Sequence, residues 1–264
     1  MTASRTPVVF IHGLWLHATS WDPWLERFAA AGYAPSAPPW PGEPPTVEEA
    51  RADPERLAGV GIDDVVDAYA AGMDGEAPIL IGHSFGGMIV EKLLGQGHGR
   101  AGIAIDAAPI KGVLPTPISA LRSAFPVLRN PANRNRAVSL TPDQFHYAFG
   151  NAVTREESDA LHERWSIPAP GRPLFQAATA NVTPHSEAAV DTRNEDRGPL
   201  LLIAGGEDHT VPEAVTESTL KQYRHSSAET DLIAMDDRGH SLVVDSGWPE
   251  VADVCLTWLR ERGL

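Results

Sequence analysis

The segment Gly-His-Ser-Phe-Gly-Gly at residues 82–87 follows an apolar run, residues 77–81, and leads into a helical pattern. A strand that turns sharply into a helix brings two backbones close together. Gly82 and Gly86 lack the side chains that would prevent this approach. Ser84 then projects from the turn at the helix N-terminus, where free backbone N–H groups favour negative charge. The spacing therefore predicts a strand-turn-helix unit that displays a nucleophilic serine.

Elsewhere, short β-rich runs alternate with helical patterns, which is typical of βαβ units and a mainly parallel sheet. The predicted strands lie at residues 8–11, 33–37, 78–81, 102–105, 200–204 and 230–235. Helices are predicted at 21–29, 62–69 and 88–94, and a closing helix at 248–262. We therefore expect an α/β fold, a three-layer αβα sandwich with about six strands.

Between residues 107 and 198 the strand signal disappears, and helix-start signals replace it. These signals are Thr116-Pro117, Thr141-Pro142, Thr154 with Glu157 as a capping box, and Thr183-Pro184. We therefore predict an α/β core at residues 1–108 and 198–264, with a helical lid, or cap, inserted at residues 109–197. Because ligands of open α/β sheets bind beyond the carboxyl ends of the strands, part of this cap is expected to face the site.

Composition and charge exclude several classes of protein. The net charge of −14 disfavours nucleic acid and anionic membranes as partners. No run approaches the ~18 apolar residues of a membrane span, and residues 1–7 carry no apolar signal-peptide core. The single cysteine, Cys255, falls at an apolar helix position and is expected to be a buried thiol. We expect a cytoplasmic location.

A serine nucleophile needs a base and an acid that orients the base. Asp208 lies on the loop that leaves the run at 200–204, and His240 lies on the loop after the run at 230–235. Both loops are at carboxyl ends of predicted parallel strands, at the same edge of the sheet as Ser84. We therefore predict that His240 accepts the Ser84 proton and that Asp208 orients the imidazole.

Two alternatives concern the acidic residues. Asp106, at the end of the run at 102–105, is the alternative acid. The adjacent Glu207, Asp208 and His209 suggest a metal site, but no second ligand pair with recognisable spacing accompanies them. No P-loop is present either. The sequence therefore predicts neither a metal ion nor a cofactor.

With these motifs in place, the chain resembles serine hydrolases of the α/β-hydrolase superfamily over nearly all of its length. The resemblance rests on His12-Gly13, the segment 82–86, the segment 205–208 and Gly239-His240. It implies an oxyanion hole formed by the amides of Leu14 and Phe85, and a cap inserted after the sixth strand of the family fold. The His-Gly strand lies so near the first residue that the chain resembles the branch without two leading antiparallel strands.

Together, the residues and the resemblance predict an esterase or lactonase that acts on a small, largely apolar substrate. The expected pocket residues are Trp15, His17, Phe125, Phe145, Phe149, Trp165 and Val211. Two alternatives keep the same triad, namely hydroxynitrile-lyase-like and cofactor-free peroxidase-like chemistry. A third is a small-molecule receptor on a hydrolase fold. The expected partner is the substrate alone, and a homodimer stays open.

Overall fold

The computed structural model describes residues 5–73, 75–114 and 117–264. Its strands are β1 (Pro7–Ile11), β2 (Ala34–Ser36), β3 (Ile79–His83), β4 (Ala101–Ile105), β5 (Ala137–Val138), β6 (Ala169–Pro170), β7 (Leu200–Gly205) and β8 (Thr230–Met235). Its α-helices are α1 (Asp22–Ala30), α2 (Val47–Ala52), α3 (Ile62–Ala71), α4 (Phe85–Gly95), α5 (Ile118–Leu128), α6 (Pro142–Ala148), α7 (Arg155–Trp165), α8 (Arg172–Ala178), α9 (Glu213–Gln222) and α10 (Trp248–Glu261).

Six strands form one sheet in the order β2-β1-β3-β4-β7-β8, and each neighbouring pair is parallel. Every residue of β3, β4 and β7 is buried, as expected for central strands covered by helices on both faces. This arrangement confirms the predicted three-layer sandwich around six strands. Because the strands are parallel, the loops that leave them gather at one edge of the sheet.

Helix α1 covers β1 with an aromatic cluster. The Phe10 ring lies 5.0 Å from the ring of Trp21 and 5.1 Å from the ring of Phe28, measured between centroids. Trp24 completes the cluster and donates a hydrogen bond of 2.8 Å from its indole to the Val243 carbonyl. The apolar face expected from the 3.6-residue spacing is therefore the packed face of this helix.

The bend between β3 and α4 depends on two glycines. A Cβ atom at Gly82 would collide with the Gly86 carbonyl oxygen, and a Cβ atom at Gly86 would collide with the Ile11 carbonyl oxygen. Both obstacles are backbone atoms, which no rotamer change removes. The predicted close approach of strand and helix is confirmed, and it also brings α4 against β1.

We expect Gly86→Ala to destabilise the fold by at least about 2 kcal/mol, because the new methyl group overpacks the contact with β1. The matched control is Gly72→Ala, where a Cβ atom would lie 3.5 Å from its nearest neighbour in an ordinary helical conformation. Urea unfolding of the two variants measures the difference. Equal midpoints for both would contradict the packing role of Gly86.

The segment predicted as a cap, residues 109–197, contains α5 to α8 and a small antiparallel pair, β5 with β6. Its assignment to a separate unit stays a prediction. Thr141 caps α6 in a full capping box with Gln144. Thr154 accepts a hydrogen bond from the Glu157 amide, but the Glu157 carboxylate accepts one from Ser246 N–H instead of completing a box.

The other helix-start signals had different outcomes. Thr116 lies outside the described residues, and α5 begins just after Pro117. The start predicted at Thr183-Pro184 is wrong, since no helix begins there. The Thr183 hydroxyl instead donates a hydrogen bond of 2.8 Å to the Thr179 carbonyl, behind it in the chain.

Three helices and one strand pair lack a counterpart in the sequence-based prediction: α2, α8, α9 and β5 with β6. The strands β5 and β6 have two residues each, too few for a period to be visible. None of the helices in the described ranges is long and apolar enough to cross a membrane.

Candidate active site

Ser84, His240 and Asp208 form a continuous hydrogen-bonded chain at the carboxyl edge of the sheet. The Ser84 Oγ lies 3.1 Å from His240 Nε2, and His240 Nδ1 lies 2.6 Å from Asp208 Oδ2. All three side chains are buried. Ser84 has φ 56° and ψ −121°, a strained conformation that the sharp turn imposes. The structure therefore brings together the three residues that the sequence selected.

Asp208 is held by donors on both carboxylate oxygens. Its Oδ1 accepts hydrogen bonds from the amides of Thr210, at 2.6 Å, and Val211, at 2.8 Å. Its Oδ2 accepts the bond from His240. With Nδ1–H donating to Asp208, the tautomer leaves Nε2 of His240 free to accept the Ser84 proton.

Asp106 lies beside the same imidazole, but it is farther from His240 Nδ1 than Asp208 is. Its Oδ2 is 4.0 Å from His240 Nδ1, beyond hydrogen-bond range, and its Oδ1 accepts a 2.6 Å bond from the Gly205 amide. Burial raises the pKa of Asp106 well above its usual value, and the neighbouring Asp208 carboxylate raises it further. The distances of 2.6 Å from His240 Nδ1 to Asp208 and 4.0 Å to Asp106 therefore favour Asp208 as the orienting carboxylate.

His83, Asp106 and His240 lie close enough to be considered as metal ligands. Both nitrogens of His240 are already used, one by Ser84 and one by Asp208. His83 Nε2–H donates to the His240 carbonyl at 2.9 Å, and burial lowers the pKa of His83 well below its usual value. Because His240 has no nitrogen to offer an ion, we interpret the group as support for the triad.

The two amides predicted for an oxyanion hole flank the serine. Phe85 is the first residue of α4, and Leu14 lies in the turn after β1. Within the described chain, neither N–H donates a hydrogen bond to a protein acceptor. Trp15 follows with φ 66°, which turns the loop sharply. Both amides are therefore available for a ligand.

The loop that carries Leu14 is anchored by the segment 137–167. Trp15 donates from its indole to the Val138 carbonyl at 2.9 Å and accepts a 3.0 Å bond from Ile167 N–H. The His17 amide donates to the Trp165 carbonyl at 3.1 Å. These three hydrogen bonds hold the loop in place from the outside.

A buried ion pair supports the same loop from below. His12 Nε2 lies 2.9 Å from Glu43 Oε2, and the Ala18 amide donates to Glu43 Oε1 at 2.9 Å. Burial lowers the pKa of His12, but the Glu43 carboxylate and the Gly13 carbonyl offset this, so the net pKa is raised. Burial raises the pKa of Glu43, and its cationic and amide partners lower it by more. Sequence reasoning missed Glu43, since a lone acid in a Pro-rich loop carries no motif.

We expect Glu43→Gln to destabilise the fold by about 3 kcal/mol near pH 5.5, because it leaves a buried imidazolium without its counter-ion. The raised pKa of His12 makes its contribution complete below pH 6.5 and lost as pH rises through the folded-state value. The lowered pKa of Glu43 makes its contribution complete above pH 4.5 and lost at more acidic pH. The destabilisation by Glu43→Gln should therefore be largest between pH 4.5 and pH 6.5, and it should decrease in alkaline buffer.

Urea unfolding at several pH values measures this dependence. Glu48→Gln is the matched control, since Glu48 is exposed near the same loop. A Glu43→Gln penalty that does not vary with pH would contradict the ion-pair explanation.

A cavity of about 210 Å³ opens beside Ser84. Its described lining is mostly apolar, includes many alanines and contains no charged side chain: Trp15, Ser84, Phe85, Ala108, Pro109, Ile110, Val113, Ala120, Leu121, Ser123, Ala124, Leu128, Ala148, Leu174, Ala177, Ala178, Ala180, Asn181, Thr210, Val211 and Val215. Trp15 and Val211 lie where the sequence predicted them. Apart from Ser84 and Phe85, the other lining residues are mainly alanine and aliphatic side chains that no sequence motif distinguishes.

The structure corrects five predicted pocket residues, all of which lie outside this lining. The His17 imidazole is buried between Thr19 Oγ1, at 2.7 Å, and the Pro44 carbonyl, at 3.0 Å. Phe125 is 59% exposed on α5 and does not line the cavity. Neither side chain therefore contacts a bound ligand in this cavity.

The remaining three residues are buried in the hydrophobic core. Phe145 stacks on Phe149 with centroids 4.8 Å apart, and the Phe149 ring meets the His240 ring edge-on at 4.7 Å. Trp165 is buried against the Arg164 guanidinium, 4.3 Å from its ring. Phe149 thus packs against the His240 imidazole instead of lining the pocket.

A sequence model for the alpha/beta hydrolase family matches residues 8–254, nearly the whole chain. The chain belongs to this family. The match includes all three residues of the hydrogen-bonded chain and the loop before α1. Comparison with curated proteins finds no significant match.

Solved structures with the same fold align with almost the whole chain. A methylesterase from Arabidopsis is 17% identical, with a TM-score of 0.67 and coverage of 97% of this chain and 99% of the other. A pyrethroid hydrolase from Sphingobium faniae is 18% identical, with a TM-score of 0.67 and coverage of 97% of each chain. A monoacylglycerol lipase from Paleococcus ferrophilus is 17% identical, with a TM-score of 0.66 and coverage of 97% and 95%. At such identities the similarity establishes the fold.

Proposed function

We propose that this hydrolase cleaves carboxylic esters or lactones of small, uncharged, largely apolar substrates through an acyl-enzyme on Ser84. The observation that carries the proposal is the buried hydrogen-bonded chain from Ser84 through His240 to Asp208, which opens onto an uncharged cavity. A nucleophile, a base and an orienting acid in this geometry are the requirements for acyl transfer.

In the acylation step, Ser84 Oγ attacks the acyl carbon while His240 Nε2 takes the hydroxyl proton. Asp208 holds the imidazole and stabilises its charged form. The carbonyl oxygen becomes an oxyanion, and the unpaired amides of Leu14 and Phe85 donate hydrogen bonds to it. Each such donor contributes about 3 kcal/mol to lowering the barrier.

The leaving alcohol takes the proton from His240, which regenerates the base. A water molecule then gives a proton to His240 and attacks the acyl carbon, and the carboxylic acid is released as Ser84 recovers its proton. With a lactone, the alcohol and the acid remain in one molecule, so the product is a hydroxy acid.

The cavity supports the assignment of substrate class. An apolar wall of alanine, leucine, isoleucine and valine side chains favours an uncharged acyl or alkyl group and gives no counter-ion to a charged one. The polar lining groups other than Ser84 are Ser123, Asn181 and Thr210, and each of them donates a hydrogen bond to a carbonyl of the protein. The neighbours named as a methylesterase and a lipase are in keeping with ester hydrolysis.

Active-site labelling tests the proposal directly. A fluorophosphonate probe should label the wild type, with the modified peptide mapping to Ser84, and labelling should be lost in His240→Ala. A panel of p-nitrophenyl esters and simple lactones, with uncharged and carboxylate-bearing acyl groups, should show turnover of the uncharged members only. Labelling at another residue, or preference for the charged esters, would overturn the assignment.

A further inference from the structure

The outer surface of α5 carries an apolar stripe that faces solvent. Ile118, Leu121 and Phe125 are 85%, 50% and 59% exposed, and their spacing of three and four residues places them on one side of the helix. Val182, 83% exposed, follows a short turn at Ala180–Val182. Exposed apolar side chains grouped on one helix face are unusual in a soluble domain and mark an interaction surface.

This stripe continues the wall of the cavity. Leu121 lines the cavity and is half exposed, so it stands at the opening. Ala120 and Ala124 line the cavity from the same helix, and Asn181, next to Val182, does so from the neighbouring turn. An apolar surface therefore extends from the cavity mouth onto the outside of the protein.

The charge around the stripe is opposite in sign to that of the whole protein. Residues 107–142 contain no aspartate or glutamate, although the chain carries a net charge of −14. Four arginines in this segment are exposed, at positions 122, 129, 134 and 136. The arginines of the described chain that pair with carboxylates are others, namely Arg27, Arg100, Arg155, Arg172, Arg238 and Arg262. In the described chain none of the four guanidiniums pairs with a carboxylate, and that of Arg122 lies 3.9 Å from the centroid of the Tyr147 ring.

We propose that this docking surface, made of Ile118, Leu121, Phe125 and Val182 with Arg122, Arg129, Arg134 and Arg136, binds the surface of an anionic lipid bilayer. Apolar side chains beside exposed arginines are the combination that holds peripheral proteins at the interface, the first in the acyl region and the second at anionic headgroups. The acidic remainder of the protein is repelled by the same headgroups, so only this face can approach.

The charge also argues against a second copy of the chain as the occupant. In a two-fold dimer through this surface, the same arginines would meet one another without counter-ions. Four apolar side chains also bury far less area than a stable dimer needs. Docking on lipid instead opens the cavity mouth toward the membrane. The expectation of no membrane partner rested on the net charge of the whole chain. A net charge does not show that one segment has the opposite sign.

Sedimentation with vesicles tests the proposal. Wild-type protein should bind phosphatidylglycerol vesicles, bind phosphatidylcholine vesicles at least about tenfold more weakly, and be released at an ionic strength of about 0.5 M. Arg129→Gln with Arg134→Gln should weaken binding by about tenfold or more. Ile118→Ser with Phe125→Ser should weaken it similarly, since neither side chain lines the cavity.

Arg5→Gln with Arg100→Gln is the matched charge control. Both arginines precede sheet strands at the amino edge, opposite the cavity, so this variant should bind vesicles like the wild type. Hydrolysis of a short soluble ester and the melting temperature should stay unchanged in the Ile118→Ser, Phe125→Ser variant. Binding is measured without hydrolysis, so failure of the proposed reaction would leave this result intact.

Three outcomes would overturn the proposal. The first is that the wild type binds phosphatidylglycerol vesicles no more strongly than phosphatidylcholine vesicles. Equal loss of binding in the amino-edge control is the second, since it would indicate a general charge effect. A monomer-dimer equilibrium in sedimentation velocity that is abolished by Ile118→Ser with Phe125→Ser is the third, and would assign the surface to a second copy.

Discussion

Ester hydrolysis should fall by about 10⁵-fold in kcat when Ser84 is replaced by alanine, with little change in KM. The hydroxyl is the only group at the β3-α4 bend in hydrogen-bond contact with His240 Nε2, so no neighbouring atom takes over the attack. The alanine methyl group fits the same position and leaves the cavity walls in place. Steady-state kinetics on a p-nitrophenyl ester measure the loss.

Ser123→Ala is the matched control for this variant. Ser123 lines the same cavity, but its hydroxyl lies 3.4 Å from the His209 carbonyl and has no base beside it. Its removal should change kcat by less than about tenfold. A Ser84→Ala enzyme that retains turnover of every ester accepted by the wild type would eliminate the acyl-enzyme mechanism.

Asp208→Asn should lower kcat by about 10⁴-fold. An amide in this position no longer provides the negative charge that stabilises the imidazolium, and it favours the wrong tautomer of His240. The loop itself should survive, since an amide oxygen can still accept the bonds from Thr210 and Val211 N–H. The effect therefore belongs to catalysis, and thermal melting should show only a small change.

Asp106→Asn is the comparison that separates the two acids near His240. Asp106 Oδ2 lies 4.0 Å from His240 Nδ1, outside hydrogen-bond range, and an amide of the same shape keeps the bond from Gly205 N–H. Burial raises the pKa of Asp106, which favours an uncharged group at this position. We expect less than about tenfold loss of kcat. If Asp106→Asn cost more activity than Asp208→Asn, the orienting role would belong to Asp106.

The three residues of the hydrogen-bonded chain were predictable because their signals are local. Ser84 lies between two glycines that the bend requires, and the carboxyl ends of β7 and β8 lead directly to Asp208 and His240. Parallel strands bring such loops together, so three distant segments converge without any knowledge of side-chain packing. The choice between Asp208 and Asp106 needed a distance, because both follow a strand of the sheet.

The pocket was predicted poorly for a physical reason. Aromatic residues at a spacing of four, such as Phe145 and Phe149, satisfy the pattern of a helix face equally well in a core and in a binding site. The walls instead include four alanines on α5 and α8, whose small size makes room for a ligand. The role of Glu43 could not be predicted for a related reason, since its partner His12 is distant in the sequence.

Local rules of backbone geometry were enough to predict the six-stranded parallel sheet, the glycine-bounded bend and the three residues that form the hydrogen-bonded chain at its edge. Strand period, glycine contacts and loop order are properties of neighbouring residues, and each can be read along the chain. The cavity wall, the His12–Glu43 pair and the exposed stripe on α5 depend on which distant segments pack together. Contacts between distant segments depend on which side chains are buried and which charges are paired in the complete fold. They are therefore visible only in the tertiary structure.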